Sequence, residues 1–111
     1  MNKVALVVGG GQTLGAFLSE GLAKAGYDVV VADLNQESAV GTAKDIEGKY
    51  KVSTLGVKVD AANEDDVNKM MDAIKEKFGR VDLLVYSAGI ARSHKITNFP
   101  LADWNLSMAV N

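Results

Sequence analysis

Four glycines and two aspartates in this sequence are spaced as the parts of a phosphate-and-ribose site would be. Gly9, Gly10, Gly11 and Gly15 follow an apolar run, Val4 to Val8, and lead into an amphipathic segment. At such a junction the chain must turn tightly, and glycine lets a pyrophosphate approach backbone amides at the positive end of a helix. A glycine-rich turn by itself also occurs where only turn geometry is needed. Asp33 adds a second feature, because it closes the next apolar run, where a carboxylate can accept hydrogen bonds from an adenosine ribose. Its other reading is as a cap for the following helix, a role that Asn35 could fill as well. Asp60 closes the third run in the equivalent place, either as an adenine contact or as a turn residue ahead of Asn63.

These side chains need a scaffold, and the hydrophobic pattern supplies one. Val4 to Val8 is uniformly apolar, as a strand buried on both faces of a parallel sheet must be. Leu14, Phe17, Leu18, Leu22 and Ala25 then recur at helical spacing until Gly26 stops them. Val29 to Ala32 repeats the strand pattern, and Ala39, Val40, Ala43 and Ile46 form a second helical stripe that ends near Gly48. Val52 to Val59 is less evenly apolar, which suits an edge strand. Asn63, with Asp66 three positions on, caps a third helix through Val67, Met70, Ile74 and Phe78 that stops at Gly79. Val81 to Tyr86 is the fourth strand, and Leu101, Trp104 and Met108 open another helix that is cut at Asn111. This alternation predicts an α/β fold, a Rossmann-type open parallel sheet with helices on both faces and strand order 3-2-1-4, truncated before the sheet is complete.

Composition narrows the partners. With 48% apolar and 23% charged residues, the 111-residue chain fits one compact domain. A net charge of -2 offers no electrostatic footprint for nucleic acid or an anionic membrane, so neither is expected as a partner. The absence of cysteine excludes disulfides and thiolate metal sites, and the N-terminal apolar run is too short for a signal peptide, so a cytoplasmic location and no metal are expected.

Over its whole length the sequence resembles the short-chain dehydrogenase/reductase family. That family's T-G-x-x-x-G-x-G turn aligns with Val8, Gly9 and onward through Thr13 and Gly15, with Val8 in place of the threonine and Thr13 in place of the middle glycine. Its N-N-A-G motif appears as Tyr86, Ser87, Ala88 and Gly89. The resemblance implies that Gly9, Gly11, Gln12, Thr13, Leu14, Gly15, Asp33, Asp60, Ala88 and Gly89 bind the cofactor NAD. Asn111 aligns with the asparagine that supports a proton relay, which would make it the one catalytic residue in the chain; otherwise it is a polar residue in a helix. The family's catalytic serine and Y-x-x-x-K pair do not occur, since Tyr27, Tyr50 and Tyr86 have no lysine four positions on. Residues 1–111 therefore read as the dinucleotide-binding N-terminal part of an oxidoreductase, inactive alone. The resemblance further implies a polyol or sugar phosphate substrate and a homo-oligomer for the full-length parent. Arg92, His94 and Lys95 either meet a substrate phosphate or are simply solvated. NAD is favoured over NADP because Asp33 would repel a 2′-phosphate, and no lysine or arginine stands at 10–13 or 34 to receive one. The competing reading is a non-catalytic nucleotide-binding or regulatory module. A flavodoxin-like receiver is disfavoured because glycines stand where its acidic cluster would be.

Overall fold

The computed structural model describes residues 2–11, 13–86 and 91–92, with the backbone alone at Thr13, Ala91 and Arg92. The chain order is β1 (Val4–Val8), α1 (Thr13–Lys24), β2 (Asp28–Asp33), α2 (Gln36–Tyr50), β3 (Thr54–Lys58), α3 (Glu64–Lys77), β4 (Leu83–Tyr86) and β5 (Ala91–Arg92). The four long strands are parallel in the order β3-β2-β1-β4, as the sequence predicts. The helix expected from Leu101 lies outside the described residues.

The sheet explains why its inner strands are apolar throughout. β1 lies between β2 and β4, all five of its residues are buried, and its alternate side chains enter two different cores. Leu6 and Val8 join Val30, Ala32 and Leu84 against Val67, Met70 and Ile74 of α3. Val7 joins Val29 and Val31 against Ala23 of α1 and Ala39, Ala43 and Ile46 of α2. Two-sided burial removes the polar alternation that a half-exposed strand would carry. β3 is an edge strand, as expected, and its burial falls away toward Lys58.

One local expectation is corrected. Only part of the apolar stripe of α1 faces the core: Leu22 packs against it, but Leu14 is 57% and Phe17 74% exposed, whereas Ser19 and Ala23 are buried. Small residues at 15, 19 and 23 allow this helix to lie close to the sheet, so contact distance as well as hydrophobicity selects its inner face. α2 ends near Gly48, as its stripe predicts. Its last residue is Tyr50 and its cap is Lys51, which is left-handed at φ 55° and returns its amide to the Glu47 carbonyl. The outer edge of β4 carries a further short strand, since Ala91 and Arg92 pair antiparallel with Val85 and Leu84. The third helix follows expectation. Asn63 accepts the Asp66 amide at its start, and Gly79 takes φ +77° just beyond its last turn.

Candidate functional site

The glycine turn lies at the carboxyl end of β1, beside that of β2. The amides of Gly9 and Gly10 both donate to the Ala32 carbonyl, at 2.7 and 3.1 Å, and so bind the loop to the neighbouring strand. Gly9 needs its left-handed φ of +81° to make the turn. Gly15 answers to a different constraint. A Cβ there would sit 1.8 Å from the Gly9 carbonyl oxygen, so the first turn of α1 packs directly on the loop backbone. Ser19, fully buried one turn later, donates to the Gly15 carbonyl at 2.9 Å. Leu14 stands exposed on the first turn of α1, beside this loop.

Asp33 sits at the end of β2 and is tied to the loop. Its Oδ2 accepts the Gly11 amide and its Oδ1 the Asn35 amide, both at 3.1 Å. Asn35, not Asp33, caps α2, by accepting the Ser38 amide at 3.0 Å. Asp60 behaves as a turn residue. Its Oδ1 accepts the Ala62 amide, while its own amide donates to Asp66 Oδ2, each at 3.0 Å. It also faces a cleft of about 230 Å³ shared with Val8, Gly9, Leu34, Val59, Ala61, Ala62 and Tyr86. That cleft has room for a flat ring but not for a whole dinucleotide, the remainder of which would have to lie across the glycine turn.

The fold thus gathers Gly9, Gly11, Gly15, Asp33 and Asp60 at one end of the sheet. Thr13 begins α1, while Gln12, Ala88, Gly89, Asn111, His94 and Lys95 lie outside the described residues. Two contributors were missed from sequence. Leu34, 64% exposed on the cleft, had a legible signal as an apolar residue beside Asp33. Thr42, whose hydroxyl donates to the Gly11 carbonyl at 3.0 Å from the middle of α2, had none. Among the described residues no cluster of acidic or histidine side chains could hold a metal, and no helix is long and apolar enough to cross a membrane.

A dinucleotide fits these groups by their chemistry: a turn in which backbone replaces side chains, a carboxylate at the next strand end, and an apolar-walled cleft beside both. Comparison with known proteins agrees with that description. Residues 3–111 match the short chain dehydrogenase family. The chain is 49% identical to sorbitol-6-phosphate 2-dehydrogenase of Escherichia coli strain K12, over 100% of its own length and 43% of that protein's. The crystal structure of sorbitol-6-phosphate 2-dehydrogenase from Erwinia amylovora superposes with a TM-score of 0.73 at 54% identity, covering 92% of this chain and 40% of that one. L-sorbose reductase from Gluconobacter frateurii, solved with NADPH and L-sorbose, gives a TM-score of 0.75 at 28% identity over 93% and 39%. The chain therefore spans less than half the length of these relatives. A match across nearly the entire sequence, on a parallel sheet of order 3-2-1-4 with its glycine turn after the first strand, makes this chain a member of the short chain dehydrogenase family.

Proposed function

We propose that residues 1–111 are the dinucleotide-binding part of an NAD-dependent oxidoreductase that interconverts sorbitol 6-phosphate and fructose 6-phosphate. The substrate assignment rests on similarity to the sorbitol-6-phosphate 2-dehydrogenases. The cofactor assignment rests on one observation above all, the Asp33 carboxylate held by two backbone amides at the end of β2. Fixed there, it can accept hydrogen bonds from a ribose diol and repels a 2′-phosphate. The glycine turn admits the pyrophosphate, and the cleft between Leu34 and Asp60 receives the adenine. When bound, NAD would supply the two-electron acceptor for oxidation of the secondary alcohol.

The hydroxyl proton must leave as the carbonyl forms, so a general base is required. The sequence of residues 1–111 has no Y-x-x-x-K pair to serve, and Asn111 is assigned only a supporting place in a proton relay. These residues alone are therefore proposed to bind dinucleotide without turnover. Arg92, His94 and Lys95 are candidates for the substrate phosphate.

The test combines binding and turnover. NAD and NADP are titrated into the intact protein and its Asp33→Ser variant, and NADH formation from sorbitol 6-phosphate is followed by absorbance. NAD should bind at least about tenfold more tightly than NADP, roughly 1.4 kcal/mol, and Asp33→Ser should narrow that gap. Equal affinities would refute the cofactor assignment. Turnover should require a chain extended through a Y-x-x-x-K segment. Comparable turnover by residues 1–111 alone would overturn the division of labour, and NAD binding with no turnover by the extended chain would favour a regulatory module.

A further inference from the structure

The middle of α2 reaches back to the glycine turn through one side chain. A threonine inside a helix ordinarily bonds its hydroxyl to a carbonyl one turn earlier in the same helix. Thr42 instead donates to the Gly11 carbonyl at 3.0 Å, across 31 residues of sequence. Both backbone polar groups of Gly11 are thereby held, since its amide, on the preceding peptide unit, donates to Asp33 Oδ2 at 3.1 Å. It is also wedged between two elements. A Cβ at Gly11 would lie 3.0 Å from Asp33 Oδ2, from the Ala39 nitrogen and from the Ser38 carbonyl carbon.

Asp33 depends on this arrangement. A carboxylate offers about four lone-pair sites, and backbone amides take one on each oxygen of Asp33. The sites left for a ligand lie in a plane set by those two amides. Rotation about the Gly11 backbone dihedrals, which a free carbonyl would allow, can release the Oδ2 side and let the carboxylate turn.

We propose that Thr42 is a positioning residue for cofactor selection: by anchoring the Gly11 carbonyl it fixes the backbone at Gly11, whose amide holds the Asp33 carboxylate in the orientation that accepts a ribose diol and rejects a 2′-phosphate. This rests on the NAD assignment above. Loss of the hydroxyl weakens the diol contact and allows the carboxylate to swing away from a phosphate, so NAD affinity falls while NADP affinity falls less. The reacting end of the cofactor is untouched, so the rate at saturating NAD is unchanged.

The experiment titrates NAD and NADP into the intact protein, Thr42→Val, Thr42→Ser and Asp33→Ser, with kcat measured at saturating NAD and the melting temperature recorded for each. Thr42→Val should raise the Kd for NAD about three- to tenfold, the worth of one net hydrogen bond, and narrow the NAD to NADP ratio. Thr42→Ser, which keeps the donor, should restore both. A merely structural threonine would lower the melting temperature and leave the ratio alone, and that result overturns the proposal. If Asp33→Ser narrows the ratio and Thr42→Val does not, only the role of Thr42 fails. If Asp33→Ser changes nothing, the NAD assignment fails and this proposal with it. Independently of any variant, the Gly11 amide of the unliganded wild-type protein should exchange slowly with solvent deuterium. Rapid exchange overturns the clamp.

Discussion

Two glycines of α1 have opposite reasons for being there. A methyl group on Gly15 would meet the Gly9 carbonyl oxygen at 1.8 Å, a contact that backbone on both sides cannot relieve cheaply. Gly15→Ala should therefore push the helix off the loop, destabilise the protein by about 1–3 kcal/mol and weaken NAD binding at least about tenfold. Gly21 on the same helix has no atom within 4 Å of its would-be Cβ. There alanine only improves helix propensity, and Gly21→Ala should stabilise by up to about 1 kcal/mol without changing binding. Denaturant midpoints and an NAD titration on the two variants check the contrast. Equal effects would mean that the loop does not depend on close approach at Gly15.

Helix ends show the same tension between local preference and packing. At the start of α2 and α3, Asn35 and Asn63 accept the amides of Ser38 and Asp66, a cap that local sequence determines and tertiary contacts have no reason to disturb. The end of α2 is different. Gly48 is exposed and crowded by nothing, so the helix runs through it, and the left-handed residue falls on Lys51, just before buried Val52. A non-glycine residue in that conformation costs about 1–2 kcal/mol, of which glycine regains part while losing more chain entropy on folding. Lys51→Gly should stabilise the protein by about 0.5–1 kcal/mol, read as a raised denaturant midpoint. A lowered midpoint would show that the lysine makes compensating contacts.

Across the molecule, a partly buried acid ties segments that are remote in sequence. Asp82 accepts the Val4 amide at 2.8 Å, joining the approach to β4 to the start of β1 across 78 residues, and it pairs with Arg80. Burial pushes its carboxyl up. The hydrogen bond from Arg80, the Val4 amide and the charges of Arg80 and Lys3 outweigh that effect and leave it below the ordinary carboxylate value. A depressed folded-state pKa contributes stability that is complete above about pH 4 and is lost as pH falls through the folded value. Asp82→Asn should therefore cost about 1.5–3 kcal/mol at pH 7, where a charged acceptor is lost, and much less at about pH 2. Chemical unfolding of both proteins at the two pH values tests this. A constant difference would mean that the carboxylate contributes through shape alone.

The sequence by itself determined the order of elements and the strand order. Two-sided burial leaves uninterrupted apolar runs, and parallel neighbours require helical crossovers, so the alternation is written in composition and period, while the glycine turn after the first strand points to the order 3-2-1-4. It also marked the glycine turn and the strand-end aspartates, because backbone freedom and carboxylate placement are local properties. Tertiary structure alone decided which face of α1 turned inward. Leu14 and Phe17 have the stronger hydrophobic signal, yet Gly15, Ser19 and Ala23 turn inward beside Leu22, and at Gly15 the loop lies too close for any side chain. It also gave the cap of α2 to Asn35 and turned Asp33 to the Gly11 amide. The link from Thr42 to Gly11 belongs to the same class. Nothing in the residues around Thr42 distinguishes it from any helix threonine, and its partner is defined only when two distant segments are brought within 3.0 Å.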